Sequence, residues 1–418
     1  MCVLKHSKIK DISAGRMLAT HTRGERYADV GICATSGVPI RLCYQTFTVD
    51  AAPKGVVLLI MGLASPSLLW NTGFCCRLAS HGYCVIRFDN RDVGKSTFLT
   101  GHQIICTASA SPSSTPFITL DHQSDETDAE LWGKLQTASS RGSSRHKTAI
   151  SSAMYLRLAY ASLIPGGQRL FREAYTLEDM AKDCVGLLDA LGVKKAHLVG
   201  MSMGGMIAQV VATRFPSRVE SLSLISTHAS SPKTIWPSKR LMFYMARTAQ
   251  QMAQKGFTIP LANRLSKLAT SPSPDDEEEL AQIFASLFAR VAFGTGSVYP
   301  IQNETLHRQA RRIVQWSSDF SGVARQYVAM VKASNRIPQL AKVCVPCVVL
   351  HGTVDPLVPF ANGVELADNI PGARLVAIEG LGHVLHPTVW DRIVGALVEN
   401  MSKCHTSGAK SAALKAKI

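Results

Sequence analysis

Ser202 lies at the centre of a Gly-x-Ser-x-Gly pentapeptide, Gly200-Met201-Ser202-Met203-Gly204, between an apolar strand-like stretch and a helix-like stretch. A strand–turn–helix of this kind holds a serine on a strained, exposed turn, where its hydroxyl can act as a nucleophile. Gly200 and Gly204 fit this geometry because neighbouring backbone must pass close to the serine. A glycine-rich turn or a phosphate cradle is the competing interpretation. The absence of a Gly-x-Gly-x-x-Gly motif beside the pentapeptide favours a nucleophile.

A serine hydroxyl is a weak nucleophile at neutral pH, so it needs a base and a group that orients the base. The chain order expected for this arrangement is serine, acid, histidine. Asp355 and His383 follow Ser202 in that order, each in the loop after an apolar stretch. The carboxyl ends of parallel strands form the edge at which the sites of open α/β sheets lie. We therefore predict Ser202 as nucleophile, His383 as base and Asp355 as the orienting acid.

Four other segments compete for the roles of acid and base. Glu379 belongs to a strand end and is the second choice of acid. His386 precedes a proline and fits a rim or packing residue, while His351 ends a strand and is expected to form a hydrogen bond inside the fold. The segment 226–228 reads Ser-Thr-His and offers no carboxylate, which favours Asp355.

The oxyanion of a tetrahedral intermediate needs hydrogen-bond donors. One predicted donor is the backbone N–H of Met203, the residue after the nucleophile, and the other is that of Leu63, in the loop after an early strand. Gly62 precedes Leu63 and lets the chain bend back toward the site. Because both donors are backbone groups, the identity of the side chains says little about them.

The elements that would position these residues alternate between strands and helices. A helix is predicted over Ser67–Ser80, and another begins at the capping pattern Thr176-Leu177-Glu178-Asp179. Such alternation predicts an α/β fold with a mostly parallel sheet and helices on both faces. The apolar stretches predicted as buried strands are Gly55–Met61, Tyr83–Phe88, Ala196–Val199, Val219–Ile225, Val348–Leu350 and Leu375–Ile378.

Composition excludes several classes of protein. With 418 residues and 46% hydrophobic residues the chain is long and apolar enough for a sizeable core. Its formal charge of +15 is concentrated in the termini, which indicates solvated basic ends and not a nucleic-acid partner. No apolar run reaches the length of a membrane span, so no stable membrane insertion is expected. The Cys344–Cys347 pair lacks a second pair for a zinc site, and neither a metal nor a cofactor is expected.

These features together resemble the α/β-hydrolase family, and within it the branch of aclacinomycin methylesterase and 3-oxoadipate enol-lactonase. The resemblance implies the α/β-hydrolase fold, the roles given above to Ser202, Asp355 and His383, and the donors Leu63 and Met203. It departs at Met61, where the wider family usually has the histidine of a His-Gly pair. The stretches that carry the resemblance are Ile60–Ala64, Phe88–Ser96, Gly200–Gly204, His351–Pro359 and Glu379–His383.

Composition and hydrophobic pattern divide the chain into segments. Within Phe88–Ser96, the Arg91-Asp92 pair is expected to be structural. The helical block between core strands is expected to cover the site as a cap. The predicted segments are an irregular basic segment (1–36), the first part of the hydrolase core (37–100), a Ser/Thr-rich, largely disordered insertion (101–174), the core with the nucleophile (175–227), a helical cap (228–337), the core with the acid and histidine loops (338–402), and a basic tail (403–418).

The function expected from these residues is hydrolysis of a carboxylic ester, with small or apolar acyl and alcohol groups, through an acyl-enzyme. Lipase-like activity or carbon–carbon bond hydrolysis on the same triad is an alternative, and a non-catalytic ligand-binding protein is another. The serine argues against the halide- and epoxide-opening members of the fold, which use an aspartate. A cytoplasmic location is expected, with a mitochondrion or, from Ala416-Lys417-Ile418, a peroxisome-type organelle as alternatives.

Overall fold

The computed structural model describes residues 20–21, 24–48, 52–99, 105–106, 171–254, 274–292, 296–317, 320 and 322–415. Most of the predicted insertion, 101–174, lies outside these residues, as do residues 1–19 and the last three residues of the chain.

A mostly parallel sheet forms the centre of the protein. The strands of the described residues are β1 Thr20–His21, β2 Arg26–Ile32, β3 Pro39–Thr48, β4 Val56–Ile60, β5 Cys84–Phe88, β6 Ile105–Cys106, β7 Phe171–Arg172, β8 Ala196–Met201, β9 Val219–Ile225, β10 Cys347–Gly352 and β11 Arg374–Ile378. Nine of these strands belong to the central sheet, in the order β1-β3-β5-β4-β8-β9-β10-β11, with β2 paired to β3. Strands β6 and β7 form a separate two-stranded ribbon.

The strands from β5 to β11 of this order run parallel to one another, whereas β3 is antiparallel to β1, β2 and β5. Parallel strands covered on both faces read as continuous apolar runs, as β4 does. Its successive side chains point to opposite faces, so Leu58 and Ile60 pack into one apolar cluster and Val57 and Leu59 into another. The predicted α/β fold is confirmed.

Helices cover both faces of the sheet. Helices α2 (Leu177–Ala190) and α3 (Met203–Arg214) pack on the face that includes Leu58. Helices α1 (Thr72–Ala79) and α10 (Trp390–Lys415) pack on the face that includes Leu59. The predicted capping box is present at α2, where Thr176 and Asp179 bond reciprocally. The helices are α1 Thr72–Ala79, α2 Leu177–Ala190, α3 Met203–Arg214, α4 Lys239–Gln254, α5 Pro274–Ala292, α6 Asn303–Trp316, α7 Val323–Val331, α8 Ile337–Leu340, α9 Ala361–Asn369 and α10 Trp390–Lys415.

The described residues between β9 and β10 are largely helical, as the sequence pattern predicted. Helices α4, α5 and α6 lie in this part of the chain, and apolar side chains of α5 and α6 form a cluster of their own. Phe284 of α5 lies at its centre, with its ring centroid 4.9 Å from that of Phe320.

Two local predictions differ from the structure, and one helix extends beyond the predicted core segment. The irregular structure predicted for 1–36 is wrong over Arg26–Ile32, which forms β2. Because only one side of this edge strand packs on the protein, its apolar pattern is weak and its hydrogen bonds to β3 decide its structure. The single helix predicted over Ser67–Ser80 is interrupted, because Asn71 accepts a hydrogen bond from the Gly73 amide and caps α1 there. Helix α10 continues to Lys415, well into the predicted tail.

No helix among the residues that the structure describes is both long enough and apolar enough to cross a membrane.

Candidate active site

Ser202 occupies the sharp turn between β8 and α3. Its φ of 56° and ψ of −125° fall in a region that residues other than glycine rarely adopt. Two hydrogen bonds hold the turn: the Ser202 amide donates to the Ile225 carbonyl (2.9 Å), and the Thr227 hydroxyl donates to the Ser202 carbonyl (2.7 Å). Strain of this kind persists only where the surroundings maintain it.

The glycines on either side of Ser202 permit close backbone approaches. A Cβ atom at Gly200 would lie 2.3 Å from the Gly204 carbonyl oxygen, and one at Gly204 would lie 2.1 Å from the Ile60 carbonyl oxygen. Both distances are far inside van der Waals contact. A larger residue at Gly200 would therefore force the start of α3 away from β8, and one at Gly204 would push the turn away from the end of β4.

Asp355 and His383 meet beyond the carboxyl ends of β10 and β11. The His383 Nδ1 atom lies 2.7 Å from Asp355 Oδ2, and Asp355 Oδ1 accepts hydrogen bonds from the amides of Leu357 (2.9 Å) and Val358 (2.8 Å). The Asp355 side chain is fully buried. An ionised carboxylate accepts a hydrogen bond from the Nδ1–H group, which leaves Nε2 of His383 as the acceptor nitrogen.

The surroundings of Asp355 favour its ionised form. Burial alone would raise the pKa of Asp355, but His383, the buried His351 and the Val358 amide outweigh it and lower the pKa below its ordinary value. Burial lowers the pKa of His351, whose Nε2 lies 2.7 Å from the Val358 carbonyl oxygen. His351 thus forms the internal hydrogen bond expected from the sequence.

The loop after β4, residues 61–65, also lies close to Ser202. A Cβ atom at Gly62 would lie 3.0 Å from the Cβ of Ser202, so the two backbones are close. Among the hydrogen bonds of the described residues, none is donated by the amides of Leu63 or Met203. Both amides therefore have a free hydrogen-bonding capacity beside Ser202, the property required of an oxyanion donor.

Two buried amide side chains that the sequence did not single out hold this loop. Asn90 Nδ2 donates to the Met61 carbonyl at 2.9 Å. Gln326 of α7 accepts from the Ala64 amide at 2.8 Å and donates to the Arg91 carbonyl at 2.7 Å. Asn90 stands in the Phe88–Ser96 stretch and was within reach of sequence reasoning. Gln326 lies 262 residues from Ala64 and no motif marks it.

The Arg91-Asp92 pair belongs to a buried ionic framework. Arg91 binds both carboxylate oxygens of Asp183 at 2.6 Å, and Asp92 binds Arg325 at 2.7 and 2.8 Å. Each pair is bidentate, the geometry in which arginine binds a carboxylate most specifically. These contacts attach the loop after β5 to α2 and α7. The pair is structural in position, as the sequence predicted.

A cavity of about 510 Å³ brings the predicted residues together. Ser202, His383 and Leu63 line it, together with side chains of α4, α5 and α6. Asp355 and Met203 do not line it: Asp355 lies behind His383, and the Met203 side chain is buried beside Ser202. The helices between β9 and β10 therefore supply much of the wall that faces the serine.

The competing residues take other positions. Glu379 is exposed and does not line the cavity. His386 lies on the cavity wall with its ring 5.5 Å from that of Tyr299, in the rim position expected for it. Cys347 is buried at the start of β10 and Cys344 is exposed, and both are free thiols. Within the described residues, no group of three or more possible metal ligands occurs.

Comparison with known proteins points the same way as the geometry. A family model described as alpha/beta hydrolase fold matches residues 55–388. The chain is 27% identical over 225 residues to a rhodomycin D methylesterase of Streptomyces sp. strain C5, covering 53% of this chain and 72% of the relative. It is 22% identical over 231 residues to 3-oxoadipate enol-lactonase 2 of Acinetobacter baylyi, covering 54% and 73%.

A solved structure extends the similarity to nearly the whole fold. The thermophilic esterase from Thermogutta terrifontis superposes with a TM-score of 0.53 at 20% identity, covering 91% of this chain and 99% of the esterase. At this identity the likeness concerns the fold alone. The family model, however, spans most of the chain, including nearly all of the residues that line the cavity. The chain therefore belongs to the α/β-hydrolase fold family, with esterases and lactonases among its relatives.

Proposed function

We propose that this protein is a serine hydrolase that cleaves a carboxylic ester through an acyl-enzyme. Ser202 is the nucleophile, His383 the general base and Asp355 the group that orients His383. The observation that carries the proposal is the 2.7 Å contact of His383 Nδ1 with Asp355, made by a histidine that lines the same cavity as the strained Ser202. A nucleophile, a base and an orienting acid in this relation are typical of acyl transfer.

The reaction begins when the Ser202 hydroxyl attacks the ester carbonyl and gives its proton to Nε2 of His383. The negative charge that develops on the carbonyl oxygen is stabilised by the backbone N–H groups of Leu63 and Met203. The tetrahedral intermediate collapses as the ester C–O bond breaks, and the imidazolium returns its proton to the leaving alcohol. Water, activated by the same histidine, then hydrolyses the acyl-enzyme and restores Ser202.

Asp355 serves this cycle without changing its own protonation. Its carboxylate is buried and accepts three hydrogen bonds, from His383 and from the amides of Leu357 and Val358. Because its pKa lies below the ordinary value, it is ionised at neutral pH and stabilises the imidazolium that forms during each attack.

Two relatives support an ester or lactone substrate. The methylesterase and the enol-lactonase are named for reactions that break an acyl C–O bond. The same triad chemistry applies to both bonds, since each reaction passes through a tetrahedral intermediate on a carbonyl carbon. We therefore place a carboxylic ester ahead of a carbon–carbon bond as the substrate of this site.

A fluorophosphonate probe tests the nucleophile directly, because it phosphonylates an activated serine. We expect the wild type and a Ser402→Ala control, changed on the exposed face of α10, to be labelled at equal rates. Ser202→Ala is expected to remain unlabelled and to lose p-nitrophenyl ester hydrolysis. Equal labelling of wild type and Ser202→Ala would show that another residue reacts. A wild type that neither labels nor hydrolyses would favour the non-catalytic binding protein.

A further inference from the structure

The helices between β9 and β10 contribute a set of apolar side chains to the cavity wall, which we call the apolar wall. Phe284 lies in a packed aromatic cluster, with ring centroids 4.9 Å from Phe320 and 6.0 Å from Phe288. A wall packed in this way presents a fixed apolar surface. Its members are Met245 of α4; Phe284, Leu287, Phe288 and Val291 of α5; and Phe320.

The titratable side chains on the described part of the cavity wall are the imidazoles of His383 and His386. No aspartate, glutamate, lysine or arginine among the described residues lines the cavity. Arginines near the wall have other partners: Arg325 binds Asp92, and the Arg290 guanidinium lies 4.4 Å from the centre of the Tyr244 ring. Apart from these two imidazoles, the described wall therefore offers no counter-charge to an anionic group on a substrate.

Several neutral polar groups on the wall are also engaged in internal hydrogen bonds. The Thr248 hydroxyl donates to the Tyr244 carbonyl at 2.9 Å, and the Ser65 hydroxyl donates to the Leu63 carbonyl at 2.9 Å. Asn71 Oδ1 accepts from the Gly73 amide, where it caps α1. The other side-chain donors on the described wall, among them the amides of Asn71, Gln302 and Gln309, are uncharged. A carboxylate that entered this cavity would lose its hydration and find no lysine or arginine on the described wall to compensate its charge.

We propose that the site selects uncharged esters whose acyl chain packs against this apolar wall, and that it excludes esters bearing a free carboxylate on that chain. The inference rests on the proposed function, because it specifies the substrate of the same serine. A cavity of about 510 Å³ lies in the range of small-molecule sites, so a chain of several methylenes fits beside the reacting carbonyl.

Chain length should raise reactivity until the wall is covered. Each methylene moved from water to the apolar surface contributes about 0.8 kcal/mol, which is about a fourfold increase in kcat/KM. We expect kcat/KM to rise by about this factor per methylene from p-nitrophenyl acetate to the hexanoate. A flat series, or one that falls from the acetate onward, would overturn the assignment of the acyl chain to this wall.

The charge selection is tested with a matched pair of substrates. Mono-p-nitrophenyl adipate carries a free carboxylate at the end of its acyl chain, and p-nitrophenyl methyl adipate carries a methyl ester there. After subtraction of the Ser202→Ala background, we expect the free acid to react with a kcat/KM at least about 100-fold lower than its methyl ester. Comparable values for the two esters would overturn the inference and leave the proposed hydrolase function standing. Failure of every ester would overturn both.

A substitution supplies the reverse test. Leu287 is half-buried on the cavity wall, whereas its neighbour Ser286 is exposed and does not line the cavity. Leu287→Arg places a cation on the wall and is expected to reduce the preference for the methyl ester at least tenfold. Ser286→Arg adds the same charge to α5 outside the cavity and should keep the wild-type preference. Equal shifts in the two variants would show that the overall charge of α5, and not the wall, sets the selectivity.

Discussion

Replacing Gln326 with leucine should impair turnover although Gln326 does not line the cavity. The side chain is fully buried and bonds both the Ala64 amide and the Arg91 carbonyl. Leucine has nearly the same size but cannot make either bond. The Gln326→Leu variant therefore loses the contact that holds Ala64, the residue next to the proposed oxyanion donor Leu63.

The size of the effect follows from what remains in place. Complete loss of an oxyanion donor costs about 10²–10³ in kcat. Asn90 still holds the Met61 carbonyl in the variant, so the loop shifts and is not released. A displacement near 1 Å costs up to about 10². We expect kcat to fall about 10- to 100-fold, with KM changed less than about twofold.

The cost in stability is separate from the loss of turnover. Two buried groups lose their partner, at about 1–3 kcal/mol each. Asn400→Leu provides a matched control. Asn400 is a buried amide that bonds the Leu222 carbonyl of β9, away from the turn at Ser202. It should lower the free energy of unfolding by a similar amount and leave kcat unchanged.

The assay measures kcat, KM and the affinity for an alkyl boronic acid, which forms a tetrahedral adduct with the serine. An oxyanion defect should weaken boronate binding by the same factor as kcat/KM. If Gln326→Leu were destabilised like Asn400→Leu but kept a wild-type kcat, Gln326 would be structural only and the argument from loop position would be refuted.

Three further outcomes are expected. Asp355→Asn should lower kcat by about 10³–10⁴, measured with a p-nitrophenyl ester, because an amide cannot stabilise the imidazolium; a change under tenfold would contradict the orienting role. Gly62→Ala, which brings a Cβ to 3.0 Å from that of Ser202, should lower kcat about tenfold or more, whereas Gly395→Ala, with open space around it, should not. His228→Gln should flatten the dependence of stability on pH. Burial, and secondly a neighbouring arginine, lower the pKa of His228 from 6.5 to about 3. As the pH falls, His228 is therefore protonated in the unfolded chain before it is protonated in the folded protein. The contribution of His228 to the free energy of unfolding is thus complete above about pH 6.5. It falls by about 1.4 kcal/mol per pH unit as the pH drops toward about 3. Urea unfolding at pH 5 and pH 7 measures the difference, and identical slopes for variant and wild type would exclude the effect.

The candidate nucleophile, acid and base were accessible from the sequence because each stands beside the strand that carries it. Ser202, Asp355 and His383 directly follow apolar stretches that form β8, β10 and β11. Parallel strands bring their carboxyl ends to one edge of the sheet, so recognising the strands is enough to predict that these loops meet.

The edge strand β2 was harder to predict from the sequence, because its side chains show no clear strand pattern. Strand β2 has one buried residue, Ala28, and its pairing to β3 depends on backbone groups that every residue has. A half-exposed strand therefore lacks the alternation by which strands are recognised. The expectation of irregular structure failed at these residues for that reason.

The sequence by itself determined the order of the central strands and of the helices between them, the strained turn at Ser202 and the residues that could form its triad, because these depend on short stretches of chain. Only the tertiary structure decided that Gln326 holds the loop of Leu63, and that the described cavity wall is largely apolar and includes no aspartate, glutamate, lysine or arginine. Both features join residues far apart in the chain, and contacts of that kind arise from packing and leave no local pattern.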